Sequence, residues 1–403
     1  MLNPHNLLQA LETKREEFAS YRQRTLREQA ETREQLEHLN QSNRTEILLR
    51  IVHEPWPGAR PTEELEQHGT LVVPFGQTFA HHQESRAWAR EQLLNRATFA
   101  VDGSQLMPSK ELSVPVAVVQ VGWFLNPHNN EEAFEKQVQT QVLGPEELLS
   151  SGSEEKLFHD QHISLRRYEM ETSRLQQFCQ EYREQNPPPL ALFDGSLLIS
   201  FAEVLKDFHR HAYLQAALSL LKTSKETQVP VLGYVDTSVA RDVVRMISLF
   251  FGQEPSSSYE GLRDIDMLSP WLPNWGDRTI AFALARPGIL REYGEMSEGL
   301  GFCYLRTSME KPPVRVEFPL WIVEEGLLDD AMNLLRAEAI VGNGYPYALE
   351  TADQVAWFAP QDRSRFASLL RRFLDQQEIP LQSSNKLQSK QRRRAHANPS
   401  RSR

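Results

Sequence analysis

Short apolar runs alternate with longer amphipathic stretches along most of the chain. Residues Ala97 to Val101, Val114 to Leu125, Leu190 to Phe193, Val229 to Val235, Ile280 to Leu284 and Val314 to Val323 have the length and continuity of buried strands. Between them lie helical patterns. In Leu165 to Tyr182, the residues Leu165, Tyr168, Leu175, Phe178 and Tyr182 cluster on one side. Phe201 to Leu221, Ser238 to Phe251, Asp329 to Val341 and Pro346 to Ala359 follow suit, the last opened by a proline near its first turn. The polar stretch Asn126 to Glu155 reads as loop with some helix. This order predicts an α/β domain built on a mixed sheet that begins antiparallel, becomes parallel and is flanked by helices.

The two ends differ from the middle. Leu7 to Leu39 predicts a long charged helix whose apolar positions Leu8, Leu11, Phe18 and Leu36 fall near one face, while Arg15, Arg22 and Gln29 interrupt any heptad. Such a helix is either solvated and packed by one edge or docked on a partner. Glu54-Pro55-Trp56-Pro57-Gly58 looks like a connection, and after Pro380 the composition collapses to Gln, Ser, Asn, Lys and Arg, a disordered tail. The expected organisation is a charged helix over 1–45, a main domain over 46–380 and a basic tail over 381–403.

Charge sharpens this picture. The chain carries a net −10, which gives no general attraction for nucleic acid, yet residues 381–403 hold seven Lys or Arg and no acid. That tail, with Lys390, Arg392, Arg393 and Arg394, can grip phosphates or merely solubilise. Two cysteines exclude a disulfide scaffold or a cysteine-built zinc site. No signal-like or membrane-length apolar run is present, so a cytoplasmic location and no membrane partner are expected.

The candidate chemistry sits at two strand ends. Phe99-Ala100-Val101-Asp102-Gly103-Ser104 and Leu192-Phe193-Asp194-Gly195-Ser196 each carry an apolar run into Asp-Gly-Ser, with the glycine expected to release the chain into a turn. Carboxylates placed alike at strand ends suit a shared hard cation, magnesium or manganese. Two such ions could hydrolyse a phosphodiester. Asp236, after the third apolar run, is a further ligand or the N-cap of the next helix. On the helix before Asp194, Glu171 lies on the Tyr168, Leu175 and Phe178 side and is preferred over Glu169. The plain alternative is that Asp-Gly marks ordinary turns.

Other motifs carry less. A haloacid dehalogenase-type phosphatase would need a nucleophile where Leu192 stands. His159 and His162 lack a third ligand nearby, and no glycine-rich phosphate loop with lysine occurs. Trp271 and Trp275, in Pro270-Trp271-Leu272-Pro273-Asn274-Trp275, form a stiff aromatic loop that either packs internally or stacks bases.

Taken in order, the DGS at Asp102, the acidic helix holding Glu171, DGSL at Asp194–Leu197 and Gly344-Tyr345-Pro346-Tyr347-Ala348-Leu349 followed by Ala352-Asp353 resemble the NurA nuclease family. These motifs span about Phe99 to Phe358. The resemblance implies a ribonuclease H-like fold related to the Piwi nuclease core. It also implies a DNase requiring Mn²⁺ or Mg²⁺, with two ions held by Asp102, Glu171 and Asp194. Tyr345 matches the tyrosine of the family's C-terminal motif, and Ser104 and Ser196 become candidate DNA contacts. Family members commonly carry Ala-His where this chain has Ala352-Asp353, so a carboxylate stands where an imidazole is usual. The resemblance further implies 5′-to-3′ exonuclease and single-strand endonuclease activity in DNA end processing, a homodimer, and a HerA-type hexameric ATPase partner. A non-catalytic assembly subunit and an RNase are the competing expectations.

Overall fold

The computed structural model describes residues 2–108, 113–149, 157–253 and 261–379. The predicted basic tail, including Lys390, Arg392, Arg393 and Arg394, lies outside the described residues, as does the side chain of His159. Eleven strands are present among the described residues. They are β1 (Gly58–Pro61), β2 (Val72–Val73), β3 (Thr98–Leu106), β4 (Ala117–Asn126), β5 (Glu135–Leu143), β6 (Leu190–Asp194), β7 (Val231–Val235), β8 (Arg278–Thr279), β9 (Phe282–Ala285), β10 (Leu300–Leu305) and β11 (Val314–Pro319). The chain divides into two compact units. One, the Asp194 unit, comprises Met1–Leu94, Asp194–Glu203 and Pro230–Pro346; the other, the Asp102 unit, comprises Asn95–Phe193, Val204–Val229 and Tyr347–Arg403.

In the Asp102 unit, β3, β4 and β5 form an antiparallel meander, and β6 runs parallel to β3 from Thr98↔Leu190 to Val101↔Phe193. The change from antiparallel to parallel is the mixed order that the sequence predicts. A helix covers each face. Leu157–Glu181 buries Leu165, Leu175 and Phe178, and Phe178 stacks on Phe99 with ring centroids 4.6 Å apart. Tyr347–Ala356 covers the opposite face, where Gly122 allows its backbone to approach: a Cβ there would lie 2.6 Å from the Ala356 nitrogen.

Two expectations are corrected here. The stretch Asn126 to Glu155 is not mainly loop, because Glu135–Leu143 pairs along the whole of β4. Its residues Glu-Lys-Gln-Val-Gln-Thr-Gln-Val are mostly polar, and even Val138 and Val142 are exposed, so backbone pairing rather than burial makes this edge a strand. Strand β3 likewise does not stop at Asp102. It continues to Leu106 because β4 offers partners as far as Val118, and Gly103 is paired with Val121 rather than turning.

The Asp194 unit contains an antiparallel sheet in the order β1-β9-β10-β11-β7, with β8 bridging β10 and β2. Strand β10 is buried throughout and was not visible as a strand in the sequence, where Gly301 interrupts a short apolar run. Arg278, a residue of β8 and fully buried, is held by both oxygens of Glu64 at 2.7 and 2.9 Å and by Asp329 at 2.6 Å. The N-terminal region forms two helices, Pro4–Glu12 and Arg15–Gln41, of which only Thr32, Leu36 and Leu39 are buried. No helix among the described residues is long and apolar enough to cross a membrane.

Candidate active site

In the Asp102 unit, close backbone approach places the candidate residues. Alternation along β3 puts Gly103 on the face of the Leu157–Glu181 helix. There a Cβ would lie 2.2 Å from Glu171 Oε1 and 2.5 Å from Arg167 Cγ. Only glycine admits that carboxylate over the strand. Arg167 fixes it from one turn earlier, with Nε 3.5 Å from Glu171 Oε1 and Nη1 donating to the Gly103 carbonyl at 3.1 Å. Glu171 is buried, whereas Glu169 is half-buried and pairs with Arg166 at 3.0 Å. The helix thus turns Glu171 and not Glu169 toward β3.

Asp102, half-buried, belongs to the other face of β3. Its register partner is Gly122, against which the Tyr347–Ala356 helix packs. That helix buries Ala348, Leu349, Thr351 and Ala352 and leaves Asp353 exposed beside them. Gln120 ties its end to β4 by donating to the Ala356 carbonyl at 3.0 Å. Asp102 therefore shares a sheet face with the helix bearing Asp353, and Glu171 approaches from the opposite face. Ser104 is half-buried two residues further along β3.

In the Asp194 unit, Asp194 is exposed at the end of β6, one residue after Phe193. Here the glycine does turn the chain: Gly195 has φ +136° and donates its N–H to the Tyr234 carbonyl at 3.0 Å. Tyr345 is hydrogen-bonded to the Asp194 carboxylate and packs edge-on against Tyr234, ring centroids 5.1 Å apart. Burial first, then the Asp194 charge, pushes the Tyr345 hydroxyl well above its ordinary value. Tyr345 is thus a neutral donor that braces Asp194. Ser196 is not an open contact, since its hydroxyl lies 2.7 Å from the buried Glu317 carboxylate, which also accepts from the Leu197 N–H at 2.8 Å. Asp236 is exposed just past β7 and caps no helix. The next helix begins at Asp242, and its first N–H groups, from Asp242, Val243 and Val244, donate to the buried Asp264 at 2.9, 3.2 and 2.9 Å. A capping acid 22 residues downstream leaves no local sequence signal.

That acid belongs to a buried charge network which the sequence did not suggest. Arg315 donates to Asp242 at 2.8 Å and to Glu317 at 2.8 Å, and Arg286 donates to both Asp242 oxygens at 2.9 and 2.5 Å. Burial would raise the Asp242 carboxyl, but the two guanidinium groups outweigh it and hold it below its ordinary value. Asp264, with Tyr304 donating at 2.8 Å, is pushed up to about 6 by burial and by the Asp242 charge.

Among the described residues no group of three His, Cys, Asp or Glu side chains stands ready to hold a metal ion. His162 lies edge-on to the buried His209, 6.2 Å between ring centroids. Trp275 packs with Phe75 and Phe79, and its indole N–H donates to the Thr307 carbonyl at 2.9 Å, which accounts for that half of the aromatic loop.

The family model described as NurA domain matches residues 96–358. Among solved structures, a crystal structure of NurA with manganese is 10% identical, covering 69% of this chain and 89% of its own, with a TM-score of 0.40. A crystal structure of NurA bound to dAMP and manganese is 12% identical, covering 69% and 88%, with a TM-score of 0.35. The catalytic domain of human Endonuclease V is 14% identical, covering 76% and 95%, with a TM-score of 0.30. No curated protein sequence matches the chain.

Proposed function

The chain belongs to the NurA family, a family of nucleases, and from that premise we propose that it hydrolyses DNA phosphodiesters with the help of two divalent cations, Mn²⁺ or Mg²⁺. The observation that carries the reading is the parallel register of β3 and β6. Val101 faces Phe193, and an aspartate is the next residue of each strand. Asp102 and Asp194 are the proposed ligands, with Glu171 and Asp353 completing the set.

The donor chemistry fits such ions. All four are carboxylates, hard oxygen donors that suit magnesium or manganese. The Gly103 cradle, which a single Cβ would fill, keeps the Glu171 carboxylate against β3 one residue past Asp102, on the opposite face of the strand. A relative crystallised with manganese and dAMP is in keeping with this choice. When bound, the cations would lower the pKa of water and stabilise the leaving oxygen. The chain's own residues do the positioning. Tyr345, kept neutral, donates to Asp194 and holds its orientation; Arg167 restrains Glu171 from behind and keeps it from swinging into solvent. Asp353, exposed on its helix, has the freedom to turn toward a ligand. We further propose DNA ends as the substrate, with 5′-to-3′ exonuclease and single-strand endonuclease activity, acting as a homodimer with a HerA-type ATPase.

The test is cleavage of end-labelled single- and double-stranded DNA, with a matched RNA strand in parallel, in Mn²⁺ or Mg²⁺. The proposal expects cleavage of DNA that stops in EDTA and is lost in Asp102→Asn and Asp194→Asn, both still folded. Wild-type protein that cuts nothing in either metal, or Asp102→Asn protein as active as wild type, overturns it.

A further inference from the structure

The aromatic loop that holds Trp275 has no task in the proposed nuclease chemistry. Within the Asp194 unit, that loop, the segment from Gln77 to Ser85 and the end of the Leu328–Val341 helix enclose a cavity of about 770 Å³. Its volume falls in the range of small-molecule sites. One wall is aromatic. Phe79 and Trp275 both line the cavity and are only half-buried, with ring centroids 6.2 Å apart.

This wall is fixed before any ligand arrives. The buried Asp277 carboxylate accepts from the Phe75 N–H at 2.9 Å through one oxygen. Through the other it accepts from the Asn274 N–H and side-chain amide at 3.1 and 3.0 Å. Phe75 then packs edge-on against Trp275 with centroids 5.5 Å apart, and the indole N–H is tied to the Thr307 carbonyl. A ring held in this way loses little freedom when something stacks on it. The remaining lining offers hydrogen bonds without selecting for charge. Neither lysine nor arginine lines the cavity, and Glu310 is its one acid. The side-chain amides of Gln77 and Asn343 make no hydrogen bond among the described residues and are available at its rim. The cavity also adjoins the candidate active site along the chain. Gly344 lines it, and the next residue, Tyr345, is hydrogen-bonded to the Asp194 carboxylate.

Aromatic faces beside neutral amides recognise a flat, uncharged ring edged with donors and acceptors. A phosphate would meet no lysine or arginine here, and an aliphatic ligand would leave the amides unmatched. Given the nuclease activity proposed for this chain, we infer that the cavity takes an unpaired nucleobase of the substrate strand, from a nucleotide flanking the phosphodiester brought to Asp194. Stacking of this kind tolerates any sequence, because every base has a π-face.

The test is run in EDTA, so that binding is read without cleavage. The full chain is titrated calorimetrically with a single-stranded oligodeoxynucleotide and with an abasic strand of the same length and charge. Wild type is expected to bind the base-bearing strand about tenfold more tightly. Phe79→Leu keeps an apolar side chain beside Trp88 and Trp275 but removes a stacking face, and Gln77→Ala removes an exposed amide that holds nothing in the fold. Each is expected to lower the preference to about threefold. Phe18→Leu, at an exposed aromatic on the Arg15–Gln41 helix, is the control and keeps the full preference. Equal binding of the two strands by wild type, an undiminished preference in both cavity variants, or an equal loss in Phe18→Leu overturns the inference. Protein that shows no preference yet cleaves DNA in Mn²⁺ refutes the base site alone; protein that shows the preference and cleaves nothing refutes the nuclease activity alone.

Discussion

Gly103→Ala is the substitution that most directly tests how Glu171 is placed. A Cβ at this position would meet Glu171 Oε1 at 2.2 Å, whereas ordinary contact begins at 3.4 Å, so the carboxylate must retreat by about 1.2 Å. Arg167 hems in the same space with Cγ at 2.5 Å and Cδ at 2.9 Å, so neither side chain can absorb the methyl alone. Both the Glu171 carboxylate and the stem of Arg167 must shift, so the cost to folding is that of overpacking, about 1–3 kcal/mol. The cost to catalysis is larger, because displacing a catalytic group by ~1 Å lowers the rate about 10²-fold. The assay pairs cleavage of a labelled strand in Mn²⁺ with urea unfolding of the same preparation. The expected signature is a kcat reduced about 10²-fold in a protein that still unfolds cooperatively. Gly122→Ala is the contrast: its Cβ would strike the Ala356 backbone at 2.6 and 2.9 Å, which cannot swing away, so stability falls further. If Gly103→Ala is folded and cleaves as fast as wild type, Glu171 has no part in the reaction.

Three further outcomes follow from the geometry. Tyr345→Phe removes the donor to Asp194 and should lower kcat about tenfold with little change in unfolding midpoint, as expected for one hydrogen bond to a charged group; steady-state kinetics on the labelled strand check it. Glu64→Gln strips one of the two carboxylate charges on the fully buried Arg278 while Asp329 keeps its place, and about 1.5–3 kcal/mol of stability should go with it, read by urea denaturation. Asp264 has its folded pKa pushed up to about 6, above the ordinary carboxyl value of about 4, so its contribution to stability is full below about pH 4 and is lost as pH rises through about 6. Asp264→Asn lacks that titration, so the stability difference between wild type and variant should shrink from pH 4 to 6.5; a difference that grows over this range contradicts the assignment.

The mixed α/β class was legible because apolar runs of strand length and a clear helical stripe alternate through the middle of the chain. Glu171 was legible for the same reason: helical spacing puts it on the Leu175 and Phe178 side, and that side is the one buried against β3. Strand β5 was not, since an exposed edge carries no hydrophobic period and is a strand only through its pairing with β4. The two DGS motifs look alike in sequence, yet one glycine lies inside a strand and admits a carboxylate while the other turns the chain with φ +136°. Identical local chemistry met different neighbours.

By itself the sequence determined which segments bury themselves, which acids follow apolar runs, and the family to which their order belongs. Those properties reside in side-chain type and spacing, which a chain carries before it folds. Only the tertiary structure decided that Tyr345 is the neutral brace on Asp194, that Ser196 is committed to Glu317, and that Asp264 caps a helix beginning 22 residues upstream. It also decided that Arg315 is buried with a nitrogen left over. Such facts depend on which groups are brought within hydrogen-bonding distance across long loops, and no local pattern records a distance.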